Sequence, residues 1–196
     1  MKNLIMVAAF LVTIIFFVSG CTSEGATEPQ NKIPATVAEV SAVKKIPRQD
    51  LIVYSTPEKY SYENFLHDVK ILENNYPAQV KVIELCITLD GRKVLDIVIG
   101  SGDKNILIFG AMHAREYITT QIVMRQLCET IDAANGYGRN YQGISTAELL
   151  QNVTIHFVPN SNPDGVAISQ FGLSALTNEN LRRNVAAMIN GDSNKF

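Results

Sequence analysis

Apolar and polar positions divide the chain into stretches of different period. Leu4 to Val18 is apolar almost throughout, a run of fifteen residues that is short for a membrane span. From Thr22 to about Asp50 no apolar period appears, and Ser, Thr, Gly, Glu, Pro and Gln dominate its first part, the composition of a tether. Helical spacing starts after Ser61, a candidate N-cap, with Tyr62, Phe65, Leu66, Val69 and Leu72 on one stripe and Glu63 in the first turn. Asn74 to Pro77 stops it. Val80 to Ile87 and Val94 to Ile99 read as strands joined at the Asp90-Gly91 turn. Asn105 to Gly110, centred on Ile106-Leu107-Ile108-Phe109, reads as a short buried strand. Ile118, Ile122, Val123, Leu127 and Ile131 then mark a helix face, with Met124 on its packed flank and Asn135-Gly136 as the stop. Ser145-Thr146-Ala147-Glu148 is a capping box for a helix ending near Leu150, and Val153 to Val158 is the next strand. Pro159 to Gly165 reads as a loop, and Thr177 caps a final helix on Leu181, Val185, Met188 and Ile189 that Gly191 ends. Strands alternating with helices predict an α/β fold, a mixed sheet with helices on both faces.

Composition changes this picture at the N-terminus. Lys2 precedes the apolar run, and Val18-Ser19-Gly20-Cys21 follows it. This resembles a bacterial lipoprotein signal, in which the leader is cut before Cys21 and that cysteine is lipidated. An uncleaved anchor helix is the alternative. The expected organisation is a signal peptide over 1–20, a flexible tether over 21–50 and one folded unit over 51–196. The expected location is outside the cytoplasm, lipid-anchored to the bacterial membrane through Cys21. The net charge of −2 and the lack of a basic stripe leave no case for nucleic acid. Cys86 on a strand and Cys128 on a helix read as buried thiols, and no Cys-x-x-Cys spacing points to a zinc ribbon.

Candidate chemistry centres on Gly110-Ala111-Met112-His113-Ala114-Arg115-Glu116-Tyr117. A His and a Glu three apart sit where a strand ends and a helix begins, the place where open α/β sheets put ligand sites. Imidazole nitrogen and carboxylate oxygen are both zinc donors. By itself His-x-x-Glu is equally a loop histidine beside a solvated glutamate, because a catalytic zinc needs three protein ligands and an open position. His67 lies off its helix stripe and reads as a surface residue. His156 lies on a strand and reads as a satisfied interior histidine.

The phrase around His113 and Glu116, with Asn162-Pro163-Asp164-Gly165 behind the next strand, resembles the zinc carboxypeptidase family (carboxypeptidase A/B-like). The resemblance covers roughly Ser55 to Phe196, the N-terminal half of that family's domain. It implies zinc held by His113 and Glu116, a substrate-subsite role for Arg115, and bracing of the zinc loop by Asn162 and Asp164. The family's Gly-x-Ser-x-Asp-Gly-Arg phrase survives as Asp90-Gly91-Arg92, with the small residues before it replaced. Arg92 reads as structural. Asp192-Ser193-Asn194-Lys195-Phe196 resembles the family's Asp-x-Asn-Arg-Asn-Phe motif only superficially and is not taken as a match. The third ligand histidine, the main arginine cluster, the substrate-capping tyrosine and the general-base glutamate have no matching positions here.

The function implied is a metallocarboxypeptidase-like hydrolase of peptides or cell-wall peptides that uses zinc-activated water. Three alternatives stand beside it. One is a truncated, inactive product that binds zinc weakly or not at all. Another is a zinc deacylase of the same fold, and the last is a surface binding module without chemistry.

Overall fold

The computed structural model describes residues 4–8, 44–55, 58–140 and 142–189. Cys21, the tether before Lys44 and the Asp192–Phe196 phrase lie outside them. Within them the chain is α/β. Strands β2 (Lys81–Ile87), β3 (Lys93–Gly100), β4 (Lys104–Phe109) and β5 (Val153–Val158) form a mixed sheet, with β1 (Leu4–Ala8) along one edge, in the order β1-β4-β5-β3-β2. β4 and β5 run parallel, whereas β3 is antiparallel to both β5 and β2. β1 lies parallel to β4. The helices are α1 (Tyr62–Asn75), α2 (Ile118–Ala134), α3 (Thr146–Asn152), α4 (Pro163–Phe171) and α5 (Glu179–Met188).

The core lies on one face of the sheet. Leu95, Ile97 and Ile99 of β3 and Val153, Ile155 and Phe157 of β5 meet Phe65, Val69 and Leu72 of α1 and Val123, Met124, Leu127, Cys128 and Ile131 of α2. Strand alternation puts Asp96 and His156 on the other face. There His156 Nδ1 lies 2.7 Å from Asp96 Oδ2 and Nε2 lies 3.3 Å from Asn105 Oδ1.

The α2 face differs from the one expected. Val123, Leu127 and Ile131 are buried, but Ile118 and Ile122 are exposed. Ile118 is two and a half turns before Leu127 at about 3.6 residues per turn, so the two point to opposite sides. Met124 is fully buried at the centre of the packed face. Cys86 is also exposed rather than buried. It sits on the outermost strand, where a bulge between Glu84 and Cys86 shifts the register. Cys128 is buried, as its helix position implied.

Ordered packing extends ahead of Leu51. The Ile46 amide donates to Asp132 Oδ1 (2.8 Å), and Arg48 reaches Asp132 Oδ2 at 3.3 Å. Asp68, fully buried on α1, accepts the amides of Ile52 and Val53 at 2.8 Å each and the Tyr60 hydroxyl at 2.7 Å. Two buried carboxylates thus fasten the segment that precedes α1. Each is satisfied by donors, which is the condition for burying a charge.

α4 was not expected, because its apolar and polar residue types show little helical contrast along the sequence, even though the positions it buries, Pro163, Val166, Ala167 and Gln170, recur at helical spacing. Its signals are at its start. Asn162 accepts from the Gly165 amide at 3.0 Å, Pro163 occupies the first turn, and Asp164 is the acid of that turn. Gly165 is therefore a helical residue, not a turn residue. A Cβ there would lie 2.6 Å from Asn162 Nδ2, so glycine leaves room for the cap.

Candidate metal centre

β4 delivers the candidate ligands. Its last residue is Phe109, and the Gly110 amide continues the ladder to the Val158 carbonyl (2.9 Å). Gly110 lies so close to the β5–α4 loop that a Cβ would run into the Pro159 carbonyl oxygen. The Gly110 carbonyl accepts the Ser161 amide (3.1 Å) and hydroxyl (2.7 Å). Ala111 then takes φ +50, left-handed for a residue with a side chain. Such a conformation costs on the order of 1 kcal/mol and persists where neighbours enforce it. The Thr119 hydroxyl does so by accepting the Ala111 amide (2.6 Å) and donating to the Glu116 carbonyl (2.7 Å).

His113 starts a 3-10 turn, Ala114–Glu116, closed by the Glu116 amide on the His113 carbonyl (3.0 Å). Residues three apart eclipse in such a turn. That geometry places His113 Nδ1 2.9 Å from Glu116 Oε1. Two ligand atoms around a tetrahedral zinc stand about 3.3 Å apart at bond lengths near 2.0–2.1 Å, so the pair fits zinc with a shift of a few tenths of an ångström. The donor set, one imidazole and one carboxylate, also suits zinc.

The pair is open to solvent, with the His113 side chain 77% and the Glu116 side chain 40% exposed. Arg115 between them is exposed, without a hydrogen bond or ion pair to another described residue. Met112 and Ile118 beside it are exposed as well. Among the described residues, no group of three or more His, Cys, Asp or Glu side chains is placed to hold a metal.

The other histidines lie elsewhere. His67 is exposed on α1 with Nδ1 3.2 Å from Asp68 Oδ1, and His156 is engaged by Asp96 and Asn105. Asn162 reaches the loop only through a long 3.5 Å contact to the Met112 carbonyl. Asp164 makes no hydrogen bond to the loop among the described residues. Its position in the first turn of α4 aims the carboxylate at the β2–β3 turn, where it accepts the Thr88 hydroxyl (2.9 Å), the Asp90 amide (3.1 Å) and Arg92 Nη1 (3.0 Å). Arg92 also pairs with Asp90 (2.6 Å) and donates to the Ala175 carbonyl (2.7 Å), a structural role. Thr119 and Ser161, the two hydroxyls that hold the loop, were not singled out by sequence. Their signal is a hydroxyl residue three after the glutamate and one just before Asn-Pro-Asp-Gly.

Known proteins match this segment. A sequence model described as zinc carboxypeptidase covers residues 65–195. Gamma-D-glutamyl-L-diamino acid endopeptidase 1 of Lysinibacillus sphaericus is 30% identical over 137 residues, 70% of this chain and 34% of that protein. Carboxypeptidase B of Astacus astacus is 31% identical over 99 residues, 49% of this chain and 30% of that one. A metallo-carboxypeptidase structure from Burkholderia cenocepacia aligns at 24% identity and TM-score 0.43, covering 67% of this chain and 39% of its own. The chain thus spans about a third of the length of the curated relatives it matches. With the family match running through α1, the His113–Glu116 turn and α4, the chain belongs to the zinc carboxypeptidase family.

Proposed function

We propose that this chain carries the first two metal ligands of a zinc-dependent metallocarboxypeptidase-like peptidase, with His113 Nδ1 and Glu116 Oε1 as the donor atoms. The observation that carries this reading is their 2.9 Å approach on a turn inside the family-matched segment. Zinc held by His113 and Glu116 would supply Lewis-acid polarisation of a peptide carbonyl and activation of water. The chain's own residues do the rest of what is on hand. Thr119 and Ser161 hold the loop, and the free Arg115 guanidinium offers a fork for a substrate carbonyl or carboxylate. The substrate class is a peptide. The name of the Lysinibacillus sphaericus relative favours γ-D-glutamyl-L-diamino acid peptides, such as those of cell walls. We place the protein outside the cytoplasm, anchored through a lipidated Cys21.

A second reading is that this chain binds zinc weakly and hydrolyses nothing. The absence of a three-ligand group among the described residues favours it. Zinc titration with His113→Ala and Glu116→Gln variants, followed by mass-spectrometric assay of a γ-D-glutamyl-diamino acid peptide, separates the cases. The first reading expects zinc binding lost in both variants and peptide cleavage that requires zinc. Binding without cleavage leaves the second reading. Zinc uptake unaffected by either substitution would sink both.

A further inference from the structure

We propose that Asp164 and Arg92 are positioning residues for the His113–Glu116 loop, acting through the N-terminus of α4. The claim rests on the reading of His113 and Glu116 as metal ligands. Neither residue forms a hydrogen bond or ion pair with that pair. Asp164 gathers three donors from the β2–β3 turn, the Thr88 hydroxyl, the Asp90 amide and the Arg92 guanidinium. The Arg92 side chain is only 11% exposed and lies between two carboxylates, Asp90 at 2.6 Å and Asp164 at 3.0 Å. Removing either carboxylate disturbs a nearly buried set of charges whose members satisfy one another.

The link onward is short. Three residues before Asp164, Ser161 binds the Gly110 carbonyl through both its amide and its hydroxyl. α4 also packs against the Ala114–Glu116 turn itself. The loop it meets does not rest in its own preferred conformation, since Ala111 is left-handed. A strained loop keeps its shape only while its surroundings dictate it. The hairpin turn therefore fixes the start of α4, and the start of α4 fixes the loop that brings Nδ1 and Oε1 together.

The test uses the whole 196-residue chain with Asp164→Asn, Arg92→Gln and the double substitution. Amide hydrogen exchange is read at Gly110, Ala111 and Glu116, whose amides bond within the loop and to β5. The reference amides are Ile97 and Ile155 in the sheet. Each single variant is expected to speed loop exchange about tenfold with the sheet unchanged, and the double variant to add nothing further, as for residues acting as one unit. Zinc affinity is expected to fall roughly tenfold in the same variants and to recover in part with Arg92→Lys. Loop exchange equal to that of the unmutated chain, or acceleration shared equally by the sheet, overturns the proposal. So does a loosened loop with unchanged zinc affinity. Failure of the unmutated chain to bind zinc would defeat the proposed function, while the exchange pattern alone would still decide the positioning claim. Should Asp164→Asn fail to fold, Thr88→Val removes one of the three bonds and is judged by the same pattern.

Discussion

The packed face of the sheet and the His113–Glu116 rim are built on opposite terms. On the packed face, α1 and α2 close over β3 and β5, and even its charges are settled. Asp68 holds three donors with no exposure, and Asp132 fastens the residues ahead of α1. At the rim, the candidate ligands stand largely in water, beside a left-handed alanine and exposed Met112 and Ile118. Stability and chemistry are thus separated. The buried side chains of α1 and α2 make no hydrogen bond to His113 or Glu116 among the described residues, and the largely exposed pair is expected to contribute little to the fold. The link between them is polar and runs through Ser161, Thr119 and the first turn of α4.

That contrast can be broken most sharply in the core. Leu72→Ala removes a fully buried side chain and is expected to cost about 2–5 kcal/mol, read by urea denaturation. A loss under 1 kcal/mol would show the packed face to be looser than described. Asp90 gives the next effect. Burial pushes its carboxyl up, but the amides of Asn178 and Thr177 and the Arg92 guanidinium outweigh it and hold the carboxyl below its ordinary value. A depressed folded value means that the ionised form stabilises the fold above the unfolded pKa. That contribution is lost as pH falls through the folded value. Asp90→Asn should therefore lower stability near neutrality and flatten the acid side of the stability curve. An unchanged acid limb would remove Asp90 from the account.

Thiol labelling sharpens the contrast further. Burial pushes the Cys128 thiol up to about 12, and Cys86 is exposed. Iodoacetamide at pH 8 should modify Cys86 in the folded chain and spare Cys128 until denaturant is added. Peptide mapping that finds both modified together would contradict the packing of α2. The smallest effect is expected at the rim. His113→Ala should change folding stability by no more than about 0.5 kcal/mol, even where it removes zinc uptake. A large destabilisation would mean that the loop is part of the core after all.

Much of this was legible in sequence because it is local. Ser61 accepts the Asn64 amide and Ser145 the Glu148 amide, so the caps of α1 and α3 fall where the residues put them. Asp90-Gly91 makes its turn with Gly91 at φ +83. The three-residue spacing of His113 and Glu116 suffices to eclipse them in a 3-10 turn. Where tertiary neighbours decide, sequence misled. The choice between Ile118 and Leu127 for the buried side of α2 depends on where the sheet lies. The exposure of Cys86 depends on β2 being an edge strand. The partners of Asp164 lie more than seventy residues away in the β2–β3 turn, so no local pattern points to them.

By itself, then, the sequence determined β2 to β5, the helices α1, α2, α3 and α5, the caps of α1 and α3 and the two candidate metal donors, because backbone preference and short-range spacing act within a few residues, although α5 is capped by Asn178, which accepts the Asn180 and Leu181 amides, and not by the expected Thr177. Only the tertiary structure decided which helix face is buried, that α4 begins at Pro163, that Thr119 and Ser161 hold the left-handed loop before His113, and that Asp164 is tied to the distant β2–β3 turn. Those outcomes follow from burial and from hydrogen bonds closed across the fold, which exist only once β4, β5 and α4 have come together.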